Sequence, residues 1–242
     1  PALSSAASDV YKRQDLDMGM NDWVCDKFEW SDSFSYNRGK VLGFEELEKL
    51  DSYGRYLDSD NDGICYRTYP GTHPEKGAYF TRGTSHDEYA RYTEDGNINA
   101  ETLMRLMRKF RTASELVPPP IIEINGEDSC GIIYYGSSKP AVLEAKDILK
   151  TKDINVDLMQ IRSFPFNLDV WEFIASHDRI YVVEQNRDSQ MRTLIMAEGG
   201  ISAEILRPLV HFTGDPIEAS YIVNKISERE VNYKSHKNIK ER

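Results

Sequence analysis

Three aspartates at alternate positions, Asp58, Asp60 and Asp62, followed by Gly63, copy the first half of a calcium-binding loop. Such a loop offers oxygen ligands from positions 1, 3 and 5, a sharp turn at a glycine in position 6, and a bidentate Glu at position 12. Position 12 here is Tyr69, and no clear amphipathic helix flanks the loop closely. An Asp/Gly turn with weak, incidental cation affinity fits these residues better than a calcium sensor. A second cluster, His73, Arg82, Thr84 and His86, falls in a loop-rich run that also holds Gly71, Gly77 and Gly83. Such residues in coil point to an interface or a substrate-side loop, because coils carry function more often than cores do. Within it, Arg82 is the group that would counter a carboxylate or phosphate. Solvated loop chemistry explains the same residues equally well.

Other chemistries find less support. Gly136-Ser137-Ser138 follows an apolar run and opens a helix, an arrangement that aims backbone N–H groups at an anion. The full GxGxxG fingerprint of a dinucleotide site is absent, and a strand–turn–helix junction needs small residues anyway. Glu184-Gln185-Asn186 lies at the carboxyl end of a strand, where open α/β sheets place functional groups; a polar strand end reads the same way. There is no GxSxG elbow and no HExxH, and Cys130 starts a buried strand, so a nucleophilic hydrolase is unsupported. Cys25, Cys65 and Cys130 stand far apart with no CxxC, which excludes a disulfide framework and an iron–sulfur or zinc cradle and leaves reduced, intracellular thiols. No catalytic residue and no metal ligand is assigned. His211 reads as a packed strand histidine, and Trp23, Trp30 and Trp171 as core or interface aromatics.

The elements that must position these residues fall into two halves. The 242 residues are 40% apolar and 29% charged, enough for a core in one large domain or two modest ones. A net charge of −10 leaves no basic face beyond a short tail after Ser227, which excludes a nucleic-acid surface. Apolar runs such as 131–135 fall far short of the roughly 20 residues that span a bilayer. The segment 1–14 has no initiator Met, signal core or transit pattern and reads as a non-native leader, so that the chain is expected to be a fragment starting at Asp15 in mid-domain. From 15 to about 94 periodicity is weak except at 44–50, as expected of coil lying over another surface. A helix capped by Asn99 follows, with Leu103, Leu106, Met107 and Phe110 on its apolar face. Val117-Pro118-Pro119-Pro120 stops it and begins a linker over 117–126.

After Gly126 strands and short helices alternate. Strands are predicted over 131–135, 156–161, 179–184 and 208–212. The helices between them carry Val142, Ala145, Ile148 and Leu149, then Phe173 and Ile174, then Met191, Leu194 and Ile195 ended by Gly199-Gly200. Asp215-Pro216 should open the last helix, before a charged tail over 231–242. This pattern predicts an α/β fold over 127–230, a mostly parallel sheet with helices on both faces.

Three stretches carry a more specific signal: Asp15-Leu16-Asp17-Met18-Gly19-Met20-Asn21-Asp22-Trp23; the run from Tyr56-Leu57-Asp58 through Tyr66-Arg67-Thr68-Tyr69-Pro70-Gly71-Thr72-His73-Pro74 to Arg82-Gly83-Thr84-Ser85-His86-Asp87-Glu88-Tyr89; and Tyr181-Val182-Val183-Glu184-Gln185-Asn186-Arg187-Asp188-Ser189-Gln190-Met191. Together they resemble the alpha subunit of 2-oxoacid:ferredoxin oxidoreductases, especially the 2-oxoglutarate type. The resemblance implies thiamine diphosphate-dependent oxidative decarboxylation of a 2-oxoacid to an acyl-CoA and CO2, with electrons passed through iron–sulfur clusters to ferredoxin. It implies a transketolase-C-terminal-like domain at 127–230, preceded at 15–116 by the coil-rich tail of a pyrimidine-binding-type domain. Thiamine diphosphate, Mg²⁺ and the clusters would sit mainly on a partner beta subunit, none on this fragment alone, in a cytoplasmic complex that meets ferredoxin and coenzyme A.

The departures matter too. The family's substrate-contacting stretches, of Tyr-Pro-Ile-Thr-Pro and Arg-x-Gly-Pro-Ser-Thr-Gly type, are missing, and Ser189-Gln190-Met191 stands where relatives often have Gly-Gln-Leu. No catalytic residue is carried across, and the fragment alone is expected to be inactive. A pyruvate-directed member of the same family and a non-catalytic cation-binding or interaction module are the alternatives.

Overall fold

The computed structural model describes residues 37–83, 85–126 and 130–240. The segment 1–14, the first resembling stretch, Trp23, Cys25, Trp30 and Thr84 lie outside them. The chain divides into two compact units, with the boundary between Val117 and Pro118.

The first unit is mostly coil. Its short helix α1 (Phe44–Glu48) starts where the Gly43 N–H donates to the Glu46 carboxylate at 2.9 Å, and it buries Leu47 completely. Helix α2 (Gly96–Leu116) is capped by Asp95, whose carboxylate accepts from Asn97 N at 2.8 Å, and not by Asn99. Asp and Asn cap equally well, and the earlier one prevails because Gly96, Asn97 and Ile98 are tolerated in a first turn. The helix ends where three prolines can no longer donate, as the sequence implies. None of its residues is buried; Leu103, Met104, Met107 and Phe110 are more than half exposed, so its apolar face is not core among the described residues.

The second unit is a five-stranded sheet of order β1-β3-β2-β4-β5, with β1 Ile121–Glu123, β2 Cys130–Tyr135, β3 Val156–Ile161, β4 Ile180–Glu184 and β5 Leu206–Val210. Strands β2 to β5 are parallel, and β1 runs antiparallel along β3. The expected linker at 117–126 therefore contains an edge strand: its two isoleucines follow the prolines directly and pair with Gln160 and Met159. Helices α3 (Lys139–Lys150) and α6 (Ala219–Lys240) cover one face, α4 (Leu168–Ala175) and α5 (Gln190–Gly199) the other. Alternation along the strands feeds both cores. Ile132, Leu158, Tyr181 and Val183 meet Val142, Leu149 and Ile222 on one side, while Ile133, Met159 and Val182 meet Val170, Phe173 and Ile195 on the other. The α/β expectation is met.

Three boundaries move. Strand β5 starts at Leu206 and ends at Val210, because an edge position tolerates Pro208 in mid-strand. His211 thus leaves the sheet and is half-buried, with Nε2 2.9 Å from the Asp215 carbonyl. Helix α6 starts at Ala219, since Ile217 first drops into the core in extended chain. The segment expected as a charged tail continues α6 to Lys240, its residues being adequate helix formers without Gly or Pro.

Candidate functional site

The Asp-rich turn folds as the start of a calcium loop would, and a lysine closes it. Asp58 Oδ1 accepts from Gly63 N at 2.9 Å, and Asp62 Oδ1 from Ile64 N at 2.8 Å. Lys40 Nζ lies 2.6 Å from Asp60, 2.7 Å from Asp62 and 3.1 Å from the Ile64 carbonyl, so three ammonium N–H groups meet three acceptors. These are loop positions 3, 5 and 7, the oxygens a calcium ion would take. The remaining oxygen, Asp58 Oδ2, accepts from Arg108 Nε at 3.1 Å and Nη2 at 2.9 Å. Partial desolvation pulls the Lys40 ammonium down, but its bonds to Asp60 and Asp62 outweigh this and hold it above the ordinary lysine value. The same bonds, with Tyr66 and the Ile64 N–H, hold Asp60 and Asp62 below the usual carboxylate value. Among the described residues, no group of three His, Cys, Asp or Glu side chains is placed to hold a metal.

The turn lies flush on α2. Gly63 has φ +80°, and a Cβ there would come within 2.2 Å of Lys109 N, so only glycine satisfies both the backbone and the close approach. Arg105 Nη1 donates to the Gly63 carbonyl at 3.1 Å, and Thr112 Oγ1 to the Asp62 carbonyl at 2.6 Å. Part of the surface that the coil lies over is thus a helix of its own unit.

The residues of the loop cluster go to different partners. His73 has its side chain nearly buried: Nε2 is 2.7 Å from Glu48, Nδ1 accepts from Glu75 N and Lys76 N, and the ring stacks on Phe44. The bond to His73 draws the Glu48 carboxyl below its usual range. His86 packs its ring against Tyr56, and Arg82 is exposed.

At the sheet, the chain turns from β2 to β3 on one side and then to β4 on the other. The crevice between the carboxyl ends of β2 and β4 is therefore the topological switch point, where such folds bind ligands. Here it is filled from within. The fully buried Glu184 carboxylate accepts from Met191 N at 2.8 Å and Arg192 N at 3.0 Å, occupying the anion position at the N-terminus of α5. Asn186 Nδ2 donates to Glu184 at 2.8 Å, and Gln185 Nε2 to Ser137 Oγ at 2.9 Å. Burial, then the Glu184 charge, push the Tyr135 hydroxyl up. Ser189 enters α5 in the left-handed region, with φ 51°, a position that suits glycine.

Lys40 and Arg108 are the site residues that sequence reasoning missed, because nothing near the turn marks them. The thiols among the described residues are Cys65 and Cys130. Cys130 is fully buried in β2, and burial pushes its thiol up to about 12. This donor set does not fit an iron–sulfur cluster, which needs several thiolates, and the turn carboxylates are already paired with cations and do not fit Mg²⁺.

The fold and its switch-point crevice define an α/β protein of the doubly wound kind, joined to a coil-and-helix unit. No family model matches the chain. It is 28% identical over 200 residues to 2-oxoacid:ferredoxin oxidoreductase 2, subunit alpha, from Aeropyrum pernix, covering 79% of this chain and 29% of that protein. It is 28% identical over 124 residues to a 2-oxoacid:ferredoxin oxidoreductase subunit alpha from Saccharolobus solfataricus, covering 49% and 20%. In structure it resembles 2-oxoglutarate:ferredoxin oxidoreductase from Magnetococcus marinus, solved with 2-oxoglutarate, coenzyme A and succinyl-CoA bound. The TM-score is 0.65 at 23% identity, over 75% of this chain and 31% of that one. This chain is thus similar to 2-oxoacid:ferredoxin oxidoreductase alpha subunits, and it spans less than a third of the length of the curated relatives it matches.

Proposed function

We propose that this chain builds part of the alpha subunit of a thiamine diphosphate-dependent 2-oxoacid:ferredoxin oxidoreductase, directed at 2-oxoglutarate and forming an acyl-CoA and CO2. The observation that carries this reading is the similarity to alpha subunits over 79% of the chain, more than either compact unit contains. Its role is scaffold and interface. The unit at 37–117, with α2 and the loop of His73, Arg82, Thr84 and His86, lies toward the active-site cleft that the rest of the alpha subunit and a beta subunit complete. The second unit is its transketolase-C-terminal-like domain. Thiamine diphosphate, Mg²⁺ and the clusters sit mainly on the beta subunit, ferredoxin and coenzyme A meet the complex, and the complex is cytoplasmic. No helix among the described residues is long and apolar enough to cross a membrane. The Lys40-closed turn weighs against the cation-binding module.

The test is 2-oxoacid- and CoA-dependent viologen reduction by a full alpha–beta complex carrying this segment. Activity with 2-oxoglutarate is expected there, and none in the isolated chain. Activity with pyruvate alone would move the reading to the pyruvate-directed member, and an assembled, cofactor-loaded complex inactive with every 2-oxoacid would remove it. Arg82→Ala in that complex should lower activity or assembly.

A further inference from the structure

Two cavities in the first unit share Tyr56 and Arg105 but differ in charge. One, of about 210 Å³, is balanced: Asp58, Glu88 and Glu101 face Arg105 and Arg108. The other, of about 380 Å³, is lined by Arg38, Lys40, Arg55, Arg67, Arg105 and Lys109, with no carboxylate in its wall. In a chain of net charge −10 such a wall is not what composition alone would assemble.

Lys40 is neutralised by Asp60 and Asp62. Arg55, Arg67, Arg105 and Lys109 make no ion pair with any described residue. Three of the four are held by neutral groups. Arg67 donates to the Arg38 carbonyl and lies over the Tyr69 ring, Arg105 donates to the Gly63 carbonyl, and Arg55 lies over the rings of Tyr56 and Tyr79. Such contacts orient a guanidinium without cancelling its charge, and most of its five donors remain open. Arg105 and Lys109 stand four residues apart on α2 and so project from one side of it, while Arg55 and Arg67 come from the coil.

We infer that this cavity binds a small organic anion bearing phosphate. Three cations that face no carboxylate, Arg55, Arg67 and Lys109, with Arg105 between the two cavities, match a multiply charged group better than a single carboxylate, and the arginine forks grip its oxygens bidentately. Tyr56, Ile64 and Leu106 give the rest of the wall an apolar surface for the attached body, and the volume falls within the range of roughly 300–1,000 Å³ typical of small-ligand sites. The inference rests on these residues and not on the family reading.

Titration calorimetry of the 242-residue chain with inorganic pyrophosphate, with succinate as the dicarboxylate comparison, tests it. Pyrophosphate should bind at sub-millimolar concentration, more weakly as salt rises, and should slow alkylation of Cys65, which lies in the same wall. Lys109→Glu and Arg67→Ala should each weaken binding about tenfold or more, and Arg187→Ala, exposed in the sheet unit, should not. No binding at millimolar pyrophosphate, or equal binding by the folded Lys109→Glu chain, would overturn the site. Succinate binding as tightly as pyrophosphate would overturn the phosphate assignment. Because no 2-oxoacid, partner or electron acceptor is in the assay, failure here leaves the proposed enzyme role untouched.

Discussion

The unit after Pro118 and the unit before it are held together by different forces. In the sheet unit, β2 and β4 are buried along nearly their whole length, and two apolar clusters sandwich the sheet. In the coil unit, Leu47 and Ala90 are the buried apolar side chains among its described residues. Its fastenings are polar instead: Lys40 in the aspartate turn, Arg108 and Thr112 from α2, and His73 on Glu48. Apolar burial scales with area and needs no exact geometry, whereas ion pairs depend on position, pH and salt. The comparison teaches that the sheet unit carries its own stability. The coil unit is a charged framework with an exposed apolar helix face, as expected of a piece that rests on further protein.

The largest effect should come from a buried ion pair of the sheet unit. Arg179 and Glu230 are both buried, with Nε 2.9 Å from Oε2, and Glu230 also accepts from Tyr181 at 2.8 Å. Glu230→Ala removes the buried carboxylate that Arg179 and Tyr181 share and should cost about 3–5 kcal/mol in urea unfolding. A cost below about 1 kcal/mol would mean that apolar burial alone suffices there.

In the coil unit, Gly63→Ala forces both a positive φ and a clash with the α2 backbone. It should cost more than about 1 kcal/mol, read as faster amide exchange within 37–117 with the sheet unit's exchange unchanged. A uniform change across both units would break the separation. Ser189→Gly works in the opposite direction: relief of a left-handed serine at the start of α5 should stabilise the sheet unit by about 1 kcal/mol.

Acid and base should distinguish the units as well. Lys40 is raised, so its contribution is complete below its ordinary 10.5 and lost only as pH rises beyond that. Asp60 and Asp62 are lowered, so theirs is complete above the ordinary 3.8 and lost as pH falls below it. The turn should stay closed between those limits and open only as pH passes the raised lysine value or the lowered aspartate values, followed by NMR of Tyr66, whose hydroxyl donates to Asp60. Opening at pH 6 would contradict the ion-pair account. The smallest effect belongs to the exposed stripe: Leu103→Ser with Met107→Ser should shift the isolated chain's stability by no more than about 0.5 kcal/mol per site while reducing assembly with a beta subunit.

Much of this architecture was written in short-range pattern. The span of β3, the proline stop of α2, Pro140 in the first turn of α3 and Gly200 closing α5 follow from residues within a few positions of one another. So does the family resemblance, which rests on contiguous stretches. The closure of the turn was not legible, because Lys40 lies 20 residues from Asp60 and Arg108 lies 50 from Asp58. Nor was the pairing of Arg179 with Glu230, 51 residues apart. The apolar stripe of α2 had the right period for a core helix, yet period states only that a face is apolar, not what covers it. The sequence by itself determined the elements and their order, since backbone propensity, capping and alternation act locally. Which charges meet, which cavity they line and which apolar face stays open were decided only by the tertiary structure, because those contacts join segments that chain connectivity alone leaves unrelated.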